Sequence, residues 1–93
     1  MIKTFKNKAL KNLYHKNDVS KINPAHLVRI TMILDILDQL TEVPKDLELY
    51  RSFRPHPYKG MSNIWSMDVS GNYRILFRFE NGNVYEIDYL DPH

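Results

Sequence analysis

Residues 73–89 read YRILFRFENGNVYEIDY, and this stretch decides the fold. Side chains alternate in character from Tyr73 to Phe79 and again from Val84 to Tyr89, the period of a strand with two unlike faces. Asn81-Gly82 stands between the two runs. Asn-Gly is the strongest short signal for a two-residue hairpin turn, because both positions of that turn need positive φ. Upstream, Ile64 to Val69 alternates in the same way, and Ser70-Gly71 separates it from Tyr73. The second half of the chain therefore reads as a three-stranded antiparallel meander, with a further short strand expected near 49–53.

Counting back from the turn places Glu80 opposite Asn83 and Arg74 opposite Tyr89. Arg74, Leu76, Arg78, Tyr85, Ile87 and Tyr89 are then expected on one sheet face. An extended chain beyond Tyr89 adds Asp91 and His93 to that face, and a tight turn at Ser70-Gly71 places Met67 opposite Arg74. A one-residue slip would reverse every one of these assignments.

The first half has a different period. Residues 2–5 suit a short edge strand. Phe5, Ala9, Leu10, Leu13 and Tyr14 recur at helical spacing, opposite Lys6, Lys8, Lys11 and Asn12. Asn23-Pro24 reads as a helix start, with Asn as cap and Pro in the first turn, where its missing N–H costs nothing. Leu27, Ile30, Ile33, Leu34, Leu37 and Leu40 form its apolar stripe, while Arg29, Asp35, Asp38, Gln39 and Glu42 are expected to face away. Pro44 disfavours helical geometry at Val43, so the helix should stop there. Two N-terminal helices followed by a sheet make an α+β domain with the helices on one sheet face.

At 93 residues and 11.1 kDa the chain has room for one domain, 1–93, around one core. With 43% hydrophobic and 26% charged residues it has the composition of a globular domain rather than a disordered one. The absence of cysteine excludes disulfides, thiolate catalysis and cysteine-ligated zinc. His15, His26, His56 and His93 have no close ligand spacing, so neither metal nor cofactor is expected. No apolar run approaches the ~20 residues of a membrane span. No signal peptide is visible behind Met1, and the default location is the cytoplasm. The net charge of +2 hides a marked segregation. Residues 1–21 carry six lysines against Asp18 alone, residues 35–48 are acidic, and no acid occurs from Leu49 to Met67. That last stretch carries Arg51, Arg54, His56 and Lys59, the pattern of a local polyanion site. His56 lies between Pro55 and Pro57, which stiffen its loop.

HPYKG at 56–60, Trp65-Ser66, GNYRILF at 71–77, the DYLDPH ending at 88–93 and the MIKTFK start follow one another in fixed order. As a set, over essentially the whole chain, they resemble HigB-type toxins of the RelE/ParE superfamily. The resemblance implies a type II toxin that cleaves mRNA in the ribosomal A site. It also implies inhibition by a HigA-like antitoxin with a helix-turn-helix domain, through which operator DNA is contacted indirectly. Residue by residue, it marks His56, Lys59, Arg74, Asp91 and His93 as active-site positions. This chain departs from the family at Pro92, where a tyrosine is usual between Asp and His.

The chemistry so implied needs no metal. The 2′-hydroxyl attacks the adjacent phosphate, one group removes a proton and another protonates the departing 5′-oxygen. Histidine suits either role near neutral pH. His56 and His93 are the expected acid/base pair, in an order left open, with Asp91 as a secondary base or an orienting partner. Arg74 and Lys59 would hold the phosphate. Lys6, Lys8, Lys11, Arg54, Arg78, Tyr58 and Tyr89 are the expected RNA and ribosome contacts, the two tyrosines against bases. His15 and His26 read as surface residues and Trp65 as core. Two other readings remain open at this point: a ParE-like gyrase poison, and an inactive toxin-like module that binds antitoxin.

Overall fold

The computed structural model of the chain describes residues 1–91. It is an α+β fold. Two helices, α1 (Lys8–Lys16) and α2 (Leu27–Gln39), precede a 3-10 segment (Lys45–Phe53) and four strands: β1 (His56–Pro57), β2 (Ile64–Ser70), β3 (Tyr73–Glu80) and β4 (Asn83–Leu90). The strands form one antiparallel sheet in the order β1-β2-β3-β4. One face packs on the helices through Leu10, Ile30, Ile33, Leu37, Met67, Ile75, Phe77, Val84 and Ile87, all buried.

Local signals explain the helix ends. The Asn7 side chain accepts the Leu10 N–H at 2.9 Å and caps α1, while Asn17, at φ 53°, closes it in the left-handed region that Asn tolerates. Phe5 is not part of that helix. It forms an isolated parallel bridge with Ile87, as Ile2 does with Val84, so residues 2–5 lie beside β4 as two bridges rather than a strand. Asn23-Pro24 starts a tight turn instead of the helix: the Asn23 side chain accepts from Ala25 N–H, and α2 proper begins three residues later than the sequence suggests. At its other end α2 stops at Gln39, well short of Pro44. The Asp46 carboxylate accepts the N–H groups of Thr41 and Glu42 and the Thr41 hydroxyl, which draws that backbone out of the helical ladder. These bonds also hold the Asp46 carboxyl below its ordinary value.

The strand expected near 49–53 is part of the 3-10 segment, and the fourth strand is His56–Pro57. Arg29 does not face away from the protein. Its Nε–H donates to the Asp68 carbonyl at 3.1 Å and its Nη2 to the Ser52 carbonyl at 2.6 Å, with the guanidinium 4.1 Å from the Phe53 ring centroid. One side chain thus ties α2 to β2 and to the 3-10 segment.

The Asn81-Gly82 turn forms as read, with φ 52° and 80°, and Glu80 pairs with Asn83. The expected faces fail farther along β4. Arg78 pairs with Tyr85, but Leu76 pairs with Asp88, so β4 carries one extra residue at a bulge. Glu86 sits there at φ 55°, and its N–H donates to the Thr4 hydroxyl at 2.8 Å. The bulge reverses the remaining alternation: Arg74 pairs with Leu90, not Tyr89, and Ile87 is buried in the core. A second bulge at Val69 and a Gly71-Asn72 turn, rather than Ser70-Gly71, pair Arg74 with Asp68. Met67 is consequently a core residue opposite Ile75.

Candidate active site

The sheet face away from the helices is built from cross-strand rows. His56, Ser66, Leu76 and Asp88 make one row, and Asp68, Arg74 and Leu90 make the next. Arg54 joins the second row from the β1 side, its Nε 3.6 Å from Asp68 Oδ2. Same-face rows lie ~7 Å apart and neighbouring strands ~4.8 Å, so His56 and Arg74 are separated by about 12 Å between Cα atoms.

Each side chain is set by a local device. Arg54 stands at φ 49° after the 3-10 segment, which turns the chain into β1 and exposes its own carbonyl to His56. His56 Nδ1 lies 2.6 Å from that Arg54 carbonyl. A carbonyl only accepts, so Nδ1 carries the hydrogen and the neutral ring keeps its lone pair on Nε2. Tyr58 N–H donates to the Ile64 carbonyl at 2.8 Å and Met61 N–H to the Tyr58 carbonyl at 3.2 Å. These bonds form the loop that carries Lys59 back over the sheet. Tyr58, Lys59, Arg74 and Leu90 then line one cavity of about 440 Å³.

Asp68 is the residue that sequence reasoning missed. Its carboxylate lies between Arg54 and Arg74, with Arg74 Nε 3.9 Å from Oδ1. Among the described residues neither of those two atoms has a hydrogen-bond partner, and neither has Ser66 Oγ, which is buried in the next row. The pair therefore restrains the Arg74 guanidinium by charge, without a hydrogen bond at Nε. A signal was present, since Asp68 is the first acid after the acid-free run, but the Val69 bulge hid its pairing with Arg74.

The other sequence-marked residues separate into groups. Arg78 lies on the same face but pairs with Glu80 and with Glu86, the latter at 3.3 Å, and covers the Tyr85 ring. Lys6, Lys8, Lys11 and Lys16 surround a cavity of about 590 Å³ beside α1, which His15 also lines. Lys6 further lines a small cavity with Leu76 and Asp88 on the outer sheet face. Tyr89 lies on the core side of the sheet, contrary to the sequence register, and its hydroxyl bonds to His26. His26 in turn is buried, not a surface residue. Burial, the neighbouring Tyr73 and the charge of Asp91 raise the Tyr89 phenol to about 12. Asp91 is exposed, beyond the end of β4. Pro92 and His93 lie outside the described residues. Among the described residues, no group of three His, Asp or Glu is placed to hold a metal. No described helix is long and apolar enough to cross a membrane.

A cavity lined by Lys59 and Arg74, on the sheet face away from the helices that also carries His56, marks a small α+β protein with a cationic open sheet face. Residues 3–93 match the family described as RelE-like toxin of type II toxin–antitoxin system HigB, and the chain belongs to it. It is 40% identical over 95 residues to Endoribonuclease HigB of Proteus vulgaris, covering all of both chains.

Proposed function

We propose that this toxin is an endoribonuclease that cuts mRNA in the ribosomal A site and so stops translation in the cytoplasm. Arg74 and Lys59, lining one cavity on the sheet face that also carries His56 one cross-strand row away, are the observation that carries the reading. Substrate phosphate sits against both cations, with Tyr58 stacked on an adjacent base. His56 Nε2 takes the 2′-hydroxyl proton as the 2′-oxygen attacks phosphorus. His93 protonates the departing 5′-oxygen, and Asp91 orients an imidazole. The products are a 2′,3′-cyclic phosphate and a free 5′-hydroxyl, and every proton moves through a side chain, so the scheme uses no metal.

The open cavity supplies cations but few walls, and the base stands one row away on the same face, which is why the ribosome belongs in the reading: it holds the mRNA in place and supplies positioning. Lys6, Lys8 and Lys11 contact ribosomal RNA phosphates, and Lys6 connects that patch to the catalytic face. Arg54, held by Asp68, and Arg78, held by two glutamates, border the RNA path as weaker contacts. Tyr89, engaged on the core side, is left out of it. The inhibitor is a HigA-like antitoxin with a helix-turn-helix domain, which brings the toxin to operator DNA.

Programmed ribosomes test this directly. Wild type should cut in the A site, and His56→Ala and Arg74→Ala should each slow cutting by about 10²–10³-fold. Absence of wild-type cuts sinks the nuclease reading, and undiminished cutting by both variants sinks the site. Gyrase-dependent DNA breaks would point to the ParE-like alternative.

A further inference from the structure

Behind the cationic cavity, on the core side of the sheet, three rings meet that the chemistry above does not use. His26, at the N-terminal boundary of α2, is only 6% exposed, and its Nδ1 is hydrogen-bonded to the Tyr89 hydroxyl. Its ring lies 4.6 Å from that of Tyr73 at an interplanar angle of 57°. Tyr73 and Tyr89 stack at 5.6 Å and 21°. Burying an imidazole is costly unless its polar atoms find partners, so the Tyr89 bond is part of what allows the ring to be there.

The His26 backbone is held on both sides. Its N–H donates to the Asn23 carbonyl at 2.9 Å, and its carbonyl accepts the Ile30 N–H at 2.9 Å. The tight turn ahead of α2 therefore serves to aim this ring at the sheet. What it reaches is telling: Tyr73 directly precedes Arg74, Tyr89 directly precedes Leu90, and Arg74 and Leu90 are paired. Asp91 follows Leu90, the last residue of β4, so what anchors Tyr89 and Leu90 bears on where Asp91 stands.

We propose that His26 is a positioning residue: clamped to Tyr89 and Tyr73, it fixes the ends of β3 and β4 and so sets Arg74 and Asp91 for cleavage. This rests on the nuclease reading. The Tyr89 phenol, raised to about 12, stays protonated at working pH and so brings no charge of its own to the clamp.

The test uses three single variants and one double. His26→Phe keeps a ring and deletes the bond, Tyr89→Phe deletes it from the other side, and His26→Asn keeps a polar atom where Nδ1 stands. On programmed ribosomes, kcat should fall about tenfold in either Phe variant with KM within about twofold, a loss confined to the reacting geometry. The double variant should be no slower than the slower single, as expected for two residues sharing one bond. His26→Asn should recover to within about threefold of wild type. Amide exchange at Leu90 and Asp91, read by NMR without RNA, should quicken in both Phe variants. Should His26→Phe not fold, Tyr89→Phe and His26→Asn carry the comparison. A folded Phe variant that cuts at the wild-type rate overturns the proposal, and so do unchanged amides at Leu90 and Asp91. Wild type that cuts no RNA overturns the nuclease reading, while the amides still decide whether His26 holds β4.

Discussion

Replacing Asp68 by asparagine removes one negative charge from between two arginines while keeping the shape of the side chain. The carboxylate lies 3.6 Å from Arg54 Nε and 3.9 Å from Arg74 Nε. At an effective dielectric of ~20 each pair has a gross attraction of about 4 kcal/mol, but desolvation and solvent screening remove most of it. Arg54 is 78% exposed, so that pair belongs with surface pairs worth about 0–1 kcal/mol. No hydrogen bond is removed at Arg74 Nε. Folding stability should therefore fall by only about 1 kcal/mol, or ~4–8 °C in Tm. Function should change in two opposite ways. A phosphate on the far side of the Arg74 guanidinium is ~7 Å from Asp68, where one charge in water is worth about 0.6 kcal/mol. Asp68→Asn should thus bind RNA two- to threefold more tightly at low salt. It should also cut about tenfold more slowly, because Arg74 has lost the charge that directs it. Single-turnover cleavage on programmed ribosomes across a range of toxin concentrations separates the two effects. Weaker binding together with an unchanged cleavage rate would refute the role assigned to Asp68.

Three further perturbations follow from individual side chains. Arg29→Ala deletes two hydrogen bonds and a cation–π interaction and should cost about 3 kcal/mol, so Tm should fall by at least ~12 °C; a drop below ~4 °C would contradict the joint described for Arg29. The Tyr89 phenol ionises at about 12 in the fold against an ordinary value of 10.0, so its contribution is complete below pH 10 and disappears as pH rises through the folded value. The Tm advantage of wild type over Tyr89→Phe should shrink between about pH 10 and pH 12, and a constant difference would count against the buried phenol. Lys8→Ala/Lys11→Ala should flatten the salt dependence of ribosome binding by roughly 0.7–0.9 log units for each phosphate no longer neutralised, leaving the cleavage rate of bound mRNA unchanged; an unaltered slope would remove these lysines from the interface.

Part of the candidate site was marked in the sequence, and what was not depends on contacts between residues distant in the chain. His56 and Lys59 stood out because an acid-free run and a proline-stiffened loop mark them, and they and Arg74 because the family pattern does. Asp68 and His26 did not. Asp68 was hidden because the register of β2 against β3 depends on a bulge at Val69, and His26 because a lone histidine near a helix start looks like a surface residue until Tyr89 is seen beside it. The same limit moved Ile87 and Tyr89 to the opposite side from Arg74.

The sequence by itself determined the order of elements in outline, the Asn81-Gly82 hairpin and the family. These depend on interactions between residues near in the chain, or on an ordered pattern that needs no folding to be read. Only the tertiary structure decided which side chains share a face. That choice rests on long-range bonds: Thr4 accepting the freed Glu86 N–H, Arg29 holding the Asp68 carbonyl, and His26 meeting Tyr89. Side chains alternate along a strand with a period of two, so each extra residue at a bulge reverses everything beyond it. Whether a bulge forms is settled by the partner that receives its released N–H, and for Glu86 that partner lies at the other end of the chain.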